Sequence, residues 1–383
     1  MKIIFIILFD FIFSLIFFLS KLDKNLVIFN STKNTNFNFN SKFLFESMLS
    51  HKDFKNKKIY FVTNDRPKRD ELNKIYPNHF ISSNSLSGRI LCLKAKIWIT
   101  STIETPVWGI AKNPYRIVYH LGHGIPLKNI GLAEENLSML RWVNRKLRLR
   151  LFTHVTAYSN LFDDFFKKVF DSNNIKLLHF GQPRNDSLLS GKRLDSIIKL
   201  QPKSIAKYVL YSPTWRPYAD TKLFPFEEFS IQDFHQFLED NNIIFFIRDH
   251  PFYESQIPIG LFNSSYVVDA RFNIITDITS FLDDFDILIT DYSSIYLDFL
   301  ILKKKVIYLP YDFEKHKKEV GFSNPYNTLI YGPIIKSYSE LLYELSDTKT
   351  SNDDELISFL SKLNLKPKLN CHEHLNYISG LLK

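Results

Sequence analysis

The chain has 383 residues, 45% hydrophobic and 23% charged, with a net charge of +9 at neutral pH. That length makes two domains the default, and the composition is that of a folded protein rather than a low-complexity or disordered one. The basic balance favours an anionic partner. It is not expected to be nucleic acid, since no zinc finger, RNA-recognition signature or helix-turn-helix pattern occurs, and an anionic lipid or a phosphorylated substrate fits at least as well.

The first element is an apolar segment. Ile3 to Leu19 is interrupted only by Asp10 and is flanked by Lys2, Lys21 and Lys24. It is short for a spanning helix, and a central Asp is costly in lipid. No small-residue cleavage site follows, which argues against a signal peptide. For residues 1–24 the first expectation is a segment lying in a membrane interface and the second a true anchor, with a helix buried against the protein as the bland alternative.

Short β-rich runs follow at Leu26–Phe29, Ile59–Val62, Ile97–Ile99, Ile117–Tyr119, Val155–Tyr158 and Leu177–Phe180, separated by helical stretches such as Phe43–Leu49. From Leu137 to Leu151 a helical pattern puts Leu140, Val143, Leu147 and Leu151 on one side and Arg141, Arg145 and Arg148 on another. This suits an anionic membrane surface or a lipid diphosphate as well as it suits a solvated helix packed on a domain. Around Gly191 to Lys207 the pattern lapses into an interdomain region. A second series then runs through Tyr208–Tyr211, Ile243–Ile247, Tyr266–Val268, Ile287–Ile289 and Val306–Tyr308. Near-continuous apolar strands alternating with helices predict an α/β protein of two Rossmann-like parallel-sheet domains, residues 25–195 and 196–383. Cys92 and Cys371 form no metal or redox motif and suggest a reducing compartment.

The most informative stretch is Phe285 to Leu300. An apolar run stops at Thr290-Asp291, Tyr292-Ser293-Ser294 follows, and a helical pattern begins at once. With Val306–Leu309 beyond it, this reads as a βαβ unit. The turn lies at the carboxyl end of its first strand, where open α/β sheets bind ligands, and where backbone N–H groups and the dipole suit a phosphate. The bland alternative is an ordinary N-cap. Other strand ends carry chemistry of the same kind. Tyr119 leads to His120-Leu121-Gly122-His123-Gly124, with glycines leaving room beside the imidazole, and Phe180 leads to Gly181-Gln182-Pro183-Arg184-Asn185-Asp186. Tyr211 leads to Ser212-Pro213-Thr214-Trp215-Arg216, and Ile247 to Arg248-Asp249-His250-Pro251. A lone His is usually structural, and Arg184 with Asp186 or Arg248 with Asp249 can be plain surface pairs. Repetition at one edge of both predicted sheets favours function.

His123–Lys128, Gly181–Asp186, Tyr211–Arg216, His250-Pro251 and Thr290–Ser294, in that order, resemble the CDP-glycerol glycerophosphotransferase family that builds teichoic acids and related capsule polymers. Asp298-Phe299 and Tyr311-Asp312 continue the similarity, which spans roughly Leu26 to Gly321. It implies a GT-B-like fold with the two domains facing a cleft, attachment to the cytoplasmic face of the membrane as a peripheral protein, and transfer of an alditol phosphate from a CDP donor. It also implies that His123 and His250 match two functional histidines. Members usually carry Trp directly before the first His. Here Gly122 stands there, so that loop is expected to be shaped differently.

On this reading His123 is the general base and His250 donates a hydrogen bond as charge builds on departing CMP. The donor side takes Thr214, Arg216, Arg248, Asp291, Ser293, Ser294 and Asp298, although capping and helix-surface roles suit the two aspartates as well. The acceptor side takes Gly124, Lys128 and Arg184. No Asp-x-Asp motif precedes a nucleotide site, so no obligatory metal is expected, and no cofactor is implied. Expected partners are the CDP-alditol donor, a lipid-linked saccharide or polymer acceptor and an anionic membrane surface, with a homo-oligomer left open. A GT-B enzyme using a nucleotide sugar and a non-catalytic nucleotide- or polymer-binding module are the alternatives.

Overall fold

The computed structural model describes residues 12–108, 112–188, 207–248, 257–271, 274–275, 278–347 and 353–383. The chain forms two compact units. One comprises Met1–Ile125, Ile130–Asp186 and Lys368–Lys383, the other Pro126–Asn129 and Ser187–Pro367.

The first unit carries β1 (Asp23–Asn30), α1 (Phe39–Ser50), β2 (Lys58–Val62), α2 (Arg66–Ile75), β3 (Phe80–Ile81), α3 (Leu86–Lys94), β4 (Ala95–Thr100), β5 (Ile117–His120), α4 (Met139–Leu149), β6 (His154–Thr156), α5 (Asp163–Phe170) and β7 (Lys176–Leu178). Its sheet runs β3-β2-β1-β4-β5-β6-β7, with every pairing parallel. All six strands expected from apolar runs in this half form; β3, two residues long, gave no such run. Helix starts follow local chemistry. Asp65 accepts from the Lys68 N–H at the start of α2, and Ser85 accepts from the Gly88 N–H at the start of α3. The many phenylalanines are used in the core, where the Phe37 ring stands edge-on to Phe61 at 5.0 Å and to Phe80 at 5.1 Å.

The second unit carries β8 (Lys207–Tyr211), α6 (Ile231–Asp240), β9 (Ile243–Ile247), β10 (Val267–Asp269), β11 (Ile287–Thr290), α7 (Ile295–Ile301), β12 (Lys305–Tyr308), α8 (Phe313–Glu319), α9 (Tyr338–Ser346) and α10 (Asp353–Lys362). Its parallel sheet runs β10-β9-β8-β11-β12. All five residues of β9 are buried, including those pointing to opposite sides, so both faces of this strand are covered. Each such side chain contributes ~1.5–3 kcal/mol on burial.

The last helix, α11 (Asn370–Leu381), belongs to the first unit. Asp186 holds its start by accepting from the Asn370 N–H at 2.9 Å and the Cys371 N–H at 2.8 Å. A carboxylate distant in sequence thus caps the helix. His374 on α11 reaches the Gly181 carbonyl and the Tyr119 hydroxyl, at 2.9 and 2.6 Å.

Residues 1–11 of the apolar amino-terminal segment lie outside the described residues; 12–16 are helical, and Ile16 and Leu19 are 66% and 77% exposed. Asn113 ties this segment to the first unit by donating to the Phe17 and Ser20 carbonyls. Among the described residues no helix is long and apolar enough to cross a membrane.

Candidate functional site

In a doubly wound sheet the ligand crevice opens where strand order reverses. In the first unit that point lies between β1 and β4, and in the second between β8 and β11. Each carries a built cluster at the carboxyl ends of its strands.

In the first unit His123 follows β5, the neighbour of β4. Its Nδ1 lies 3.1 Å from the Ser101 carbonyl oxygen, just past β4. A carbonyl only accepts, so Nδ1 carries the proton and Nε2 is left with a lone pair. The imidazole is tilted over the Phe39 ring at 5.1 Å, and Phe39 itself has a φ of 56° at the first position of α1. His123 remains exposed, yet the protein packed around it lowers its pKa. Desolvation comes first, the Ser101 bond opposes it, the Arg184 charge adds to the lowering, and Glu104 also opposes. The ring is therefore neutral at pH 7.

Arg184 and Gly124 hold this loop. The Arg184 guanidinium donates to the His123 carbonyl at 2.7 Å, and its backbone N–H donates to Asn40 Oδ1 at 3.1 Å. Asn40 in turn donates to the Gly122 carbonyl at 2.9 Å, while the Tyr158 hydroxyl donates to the Gly124 carbonyl at 3.1 Å. Arg184 is 7% exposed. The structure thus places it behind the histidine loop as a clamp. His120, the last residue of β5, is buried, and desolvation, with proximity to His123 adding to it, pushes its pKa down to about 3.

Gly122 accounts for the departure at the position before His123. Its φ is +71°, and a Cβ there would lie 2.2 Å from the Tyr158 hydroxyl. A tryptophan at 122 thus has no room in this backbone. Gly122→Ala is expected to destabilise the protein by ~1–3 kcal/mol and to lower turnover. Adding Tyr158→Phe should return part of the stability, as read by thermal melts. A Gly122→Ala melt equal to the parent would refute the steric account.

In the second unit the centre is Arg216, whose side chain is wholly buried. It donates to Asp291 Oδ2 at 2.5 Å, and to both oxygens of Asp312 at 3.1 and 2.9 Å. The Tyr218 and Tyr292 hydroxyls also donate to Asp312, at 2.8 and 3.1 Å. Desolvation would lower the Arg216 pKa, but the Asp291 and Asp312 charges overcome it and raise it, while Asp312 is held below its ordinary range despite desolvation. The other Asp291 oxygen accepts the backbone N–H of Thr214 at 2.8 Å and that of Tyr292 at 2.6 Å. One carboxylate therefore ties the β8 turn to the Thr-Asp-Tyr-Ser-Ser turn.

The remaining donor-side residues divide. Ser293 and Ser294 are partly exposed at the start of α7, and neither side chain caps that helix. Asp298 is 1% exposed within α7. Arg248 is 8% exposed and donates to the Ala270 and Ile275 carbonyls at 2.9 and 2.6 Å, so its charged head is turned to backbone. His250 lies outside the described residues.

Two residues here were not singled out from sequence in this role. His316 on α8 is fully buried, stacks on Tyr292 at 3.9 Å and meets the Tyr218 hydroxyl through Nδ1 at 3.1 Å. Desolvation, with Lys128 and Arg216 adding to it, pushes its pKa down to about 3. Only Tyr311-Asp312 nearby offered a sequence signal. Lys128, assigned to the acceptor side from sequence, lies in the second unit. It pairs with Phe322 in an antiparallel bridge, and the flanking Asn129 N–H donates to the Gly321 carbonyl at 3.3 Å. Among the described residues no group of three or more His, Cys, Asp or Glu side chains is placed to hold a metal ion.

Comparison with known proteins adds a family. The model of the family described as CDP-Glycerol:Poly(glycerophosphate) glycerophosphotransferase matches residues 12–365. A teichoic acid glycerol-phosphate transferase of Staphylococcus aureus is 28% identical over 88% of this chain and 87% of its own. A teichoic acid poly(glycerol phosphate) polymerase of Bacillus subtilis is 24% identical over 87% of this chain, which spans 45% of that protein's length. Among solved structures, a variant of the wall teichoic acid polymerase TagF superposes with a TM-score of 0.74 at 20% identity, covering 94% of this chain and 90% of that one. The fold is thus the GT-B-like fold of TagF.

Proposed function

The chain belongs to the CDP-glycerol:poly(glycerophosphate) glycerophosphotransferase family, and from that membership we propose that it transfers glycerol phosphate from CDP-glycerol to a lipid-linked saccharide or polymer acceptor, releasing CMP. The protein is a glycerophosphotransferase-like enzyme, and the proposal concerns its particular substrates. The product would be a teichoic acid or a capsule-type surface polymer.

The observation that carries this reading is the tautomer at His123. With Nδ1–H committed to Ser101, Nε2 is a neutral base at pH 7. In the proposed step Nε2 takes the proton of an acceptor hydroxyl as its oxygen bonds to the glycerol-bearing phosphorus. The bond from that phosphorus to the CMP oxygen breaks, and CMP leaves with the electron pair. Such a transfer needs positioning and charge stabilisation more than covalent help. His250 would donate to the leaving phosphate, with the Ser293 and Ser294 hydroxyls on the donor side. Arg184, Arg216 and Asp291 act in this scheme as supports.

The test is CMP release from CDP-glycerol, CDP-ribitol and nucleotide sugars, each with a lipid-linked acceptor. Release from CDP-glycerol supports the reading. Reaction with nucleotide sugars alone would make the protein a glycosyltransferase, and binding without any release would make it a non-catalytic module.

We further propose peripheral attachment to the cytoplasmic membrane face. Met139 and Leu140 at the start of α4 are 81% and 85% exposed, beside the exposed Arg141. Arg145 is already paired with Glu134 at 2.5 Å, so the apolar pair, more than the arginine row, supports this role. Met139→Ser with Leu140→Ser is expected to cut binding to anionic liposomes at least tenfold, by ~1.5–3 kcal/mol for each lost burial. Equal flotation of variant and parent would refute it.

A further inference from the structure

At the β8/β11 switch point the cation expected to meet the donor is already consumed. Arg216 has no exposed side-chain surface, and its guanidinium is divided between Asp291 and Asp312. One positive charge faces two negative ones, and His316 is neutral, so this cluster alone would repel a diphosphate. Lys128 offsets that excess of negative charge. Its backbone is pinned beside Phe322, whose ring lies 5.7 Å from Tyr292 and 5.6 Å from His316. Its ammonium has no hydrogen-bond or ion-pair partner among the described residues. Two buried groups of the same cluster also lack one, the Thr214 hydroxyl and His316 Nε2. Thr214 is 6% exposed and His316 0%, and a buried polar atom left unsatisfied is costly unless a ligand or water meets it.

We propose that Lys128 is a donor-side ligand, its ammonium taking a phosphoryl oxygen of the CDP-linked substrate with the Thr214 hydroxyl as a second donor. The residue then serves the opposite substrate from the one its sequence position suggested. This assignment rests on the phosphotransferase reading above and specifies its donor site. The surrounding charges agree with it. Desolvation lowers the Lys128 pKa to about 8, Asp291 opposing and Arg216 adding, with neutral His316 also within electrostatic reach and Tyr292 and Tyr326 packed on the same Phe322 ring. The lowered pKa leaves part of the free amine unprotonated at pH 8, and the negative charge of an arriving diphosphate raises that pKa and draws in a proton.

The experiment is calorimetric titration of the full chain with CDP-glycerol at pH 8 in two buffers of different ionisation enthalpy. It is run on the parent, Lys128→Met, Lys128→Arg and, as a charge control elsewhere, Lys168→Met. The expected result is parent binding with net proton uptake, a ~10–100-fold weaker Kd for Lys128→Met, near-parent affinity without proton uptake for Lys128→Arg, and no change for the control. Unchanged donor affinity and proton uptake in Lys128→Met would overturn the proposal, as would an effect confined to the KM of the lipid-linked acceptor. Failure of the parent to bind CDP-glycerol would instead overturn the donor reading itself. Thermal melts identify a variant that has lost its fold, in which case Lys128→Arg and its proton count decide the matter.

Discussion

Turnover of CDP-glycerol is expected to fall ~10²–10⁴-fold in His123→Ala, with CDP-glycerol affinity unchanged, because general-base catalysis supplies about that factor. The clean split between rate and donor binding follows from where His123 stands. It lies in the first unit, on a loop held by Ser101, Arg184 and Asn40, while the proposed diphosphate ligands lie in the second. The pH profile has a definite sign. Since surroundings lower the His123 pKa below 6.5, kcat should stay level through neutral pH and fall only on the acid side of 6.5, as Nε2 takes a proton. That limb must be measured where the fold holds. His120 and His316 have folded pKa values of about 3 against an ordinary 6.5, so the unfolded chain takes up protons that the folded one refuses. Their contribution to stability is present above pH 6.5 and is lost as pH falls toward 3. Stopped assays at pH 6 alongside melting curves separate the two effects. A His123→Ala enzyme that turns over at the parent rate would remove the base from the mechanism.

Arg216→Ala is expected to destabilise the second unit by ~3–5 kcal/mol, the cost of leaving buried charges without a partner. Asp291 and Asp312, 2% and 14% exposed at their side chains, would face each other with nothing between them. Because Asp291 also fastens the Thr214 and Tyr292 backbones, the Thr-Asp-Tyr-Ser-Ser turn should loosen, and donor affinity should fall as a consequence. Urea unfolding followed by tyrosine and tryptophan fluorescence gives the stability change. The triple replacement Arg216→Met, Asp291→Asn, Asp312→Asn should recover a large part of it, since an uncharged group buries at less cost than an orphaned ion. If Arg216→Ala keeps the parent's stability and only raises the KM for CDP-glycerol, Arg216 is a donor ligand and not the tie described here.

Much of the site was legible in one dimension because strand ends are marked locally. Apolar runs such as Ile243–Ile247 announce buried parallel strands, and the residues just past them, His123, Thr214 and Asp291 among them, fall at the ligand-binding edge by topology alone. Gly122 could be seen as a departure from the family pattern, but its reason could not. Only the fold brings Tyr158 to within 2.2 Å of where a Cβ would stand. In sequence, Asp186 had a candidate partner in Arg184 two residues earlier, yet in the fold it holds the start of a helix whose first residue is Asn370.

The sequence by itself determined the α/β class, the two parallel sheets, the family and the strand edge that carries the candidate site, because each depends on patterns within a few residues of one another. Tertiary structure decided which charges are free. Arg216 and Lys128 are both cations near strand ends, and nothing in their neighbours along the chain separates them. Folding encloses Arg216 between two carboxylates from after β11 and β12, and leaves the Lys128 ammonium without a partner among the described residues. Ion pairing and desolvation act over a few ångströms through space, and the groups that set them lie tens of residues away along the chain.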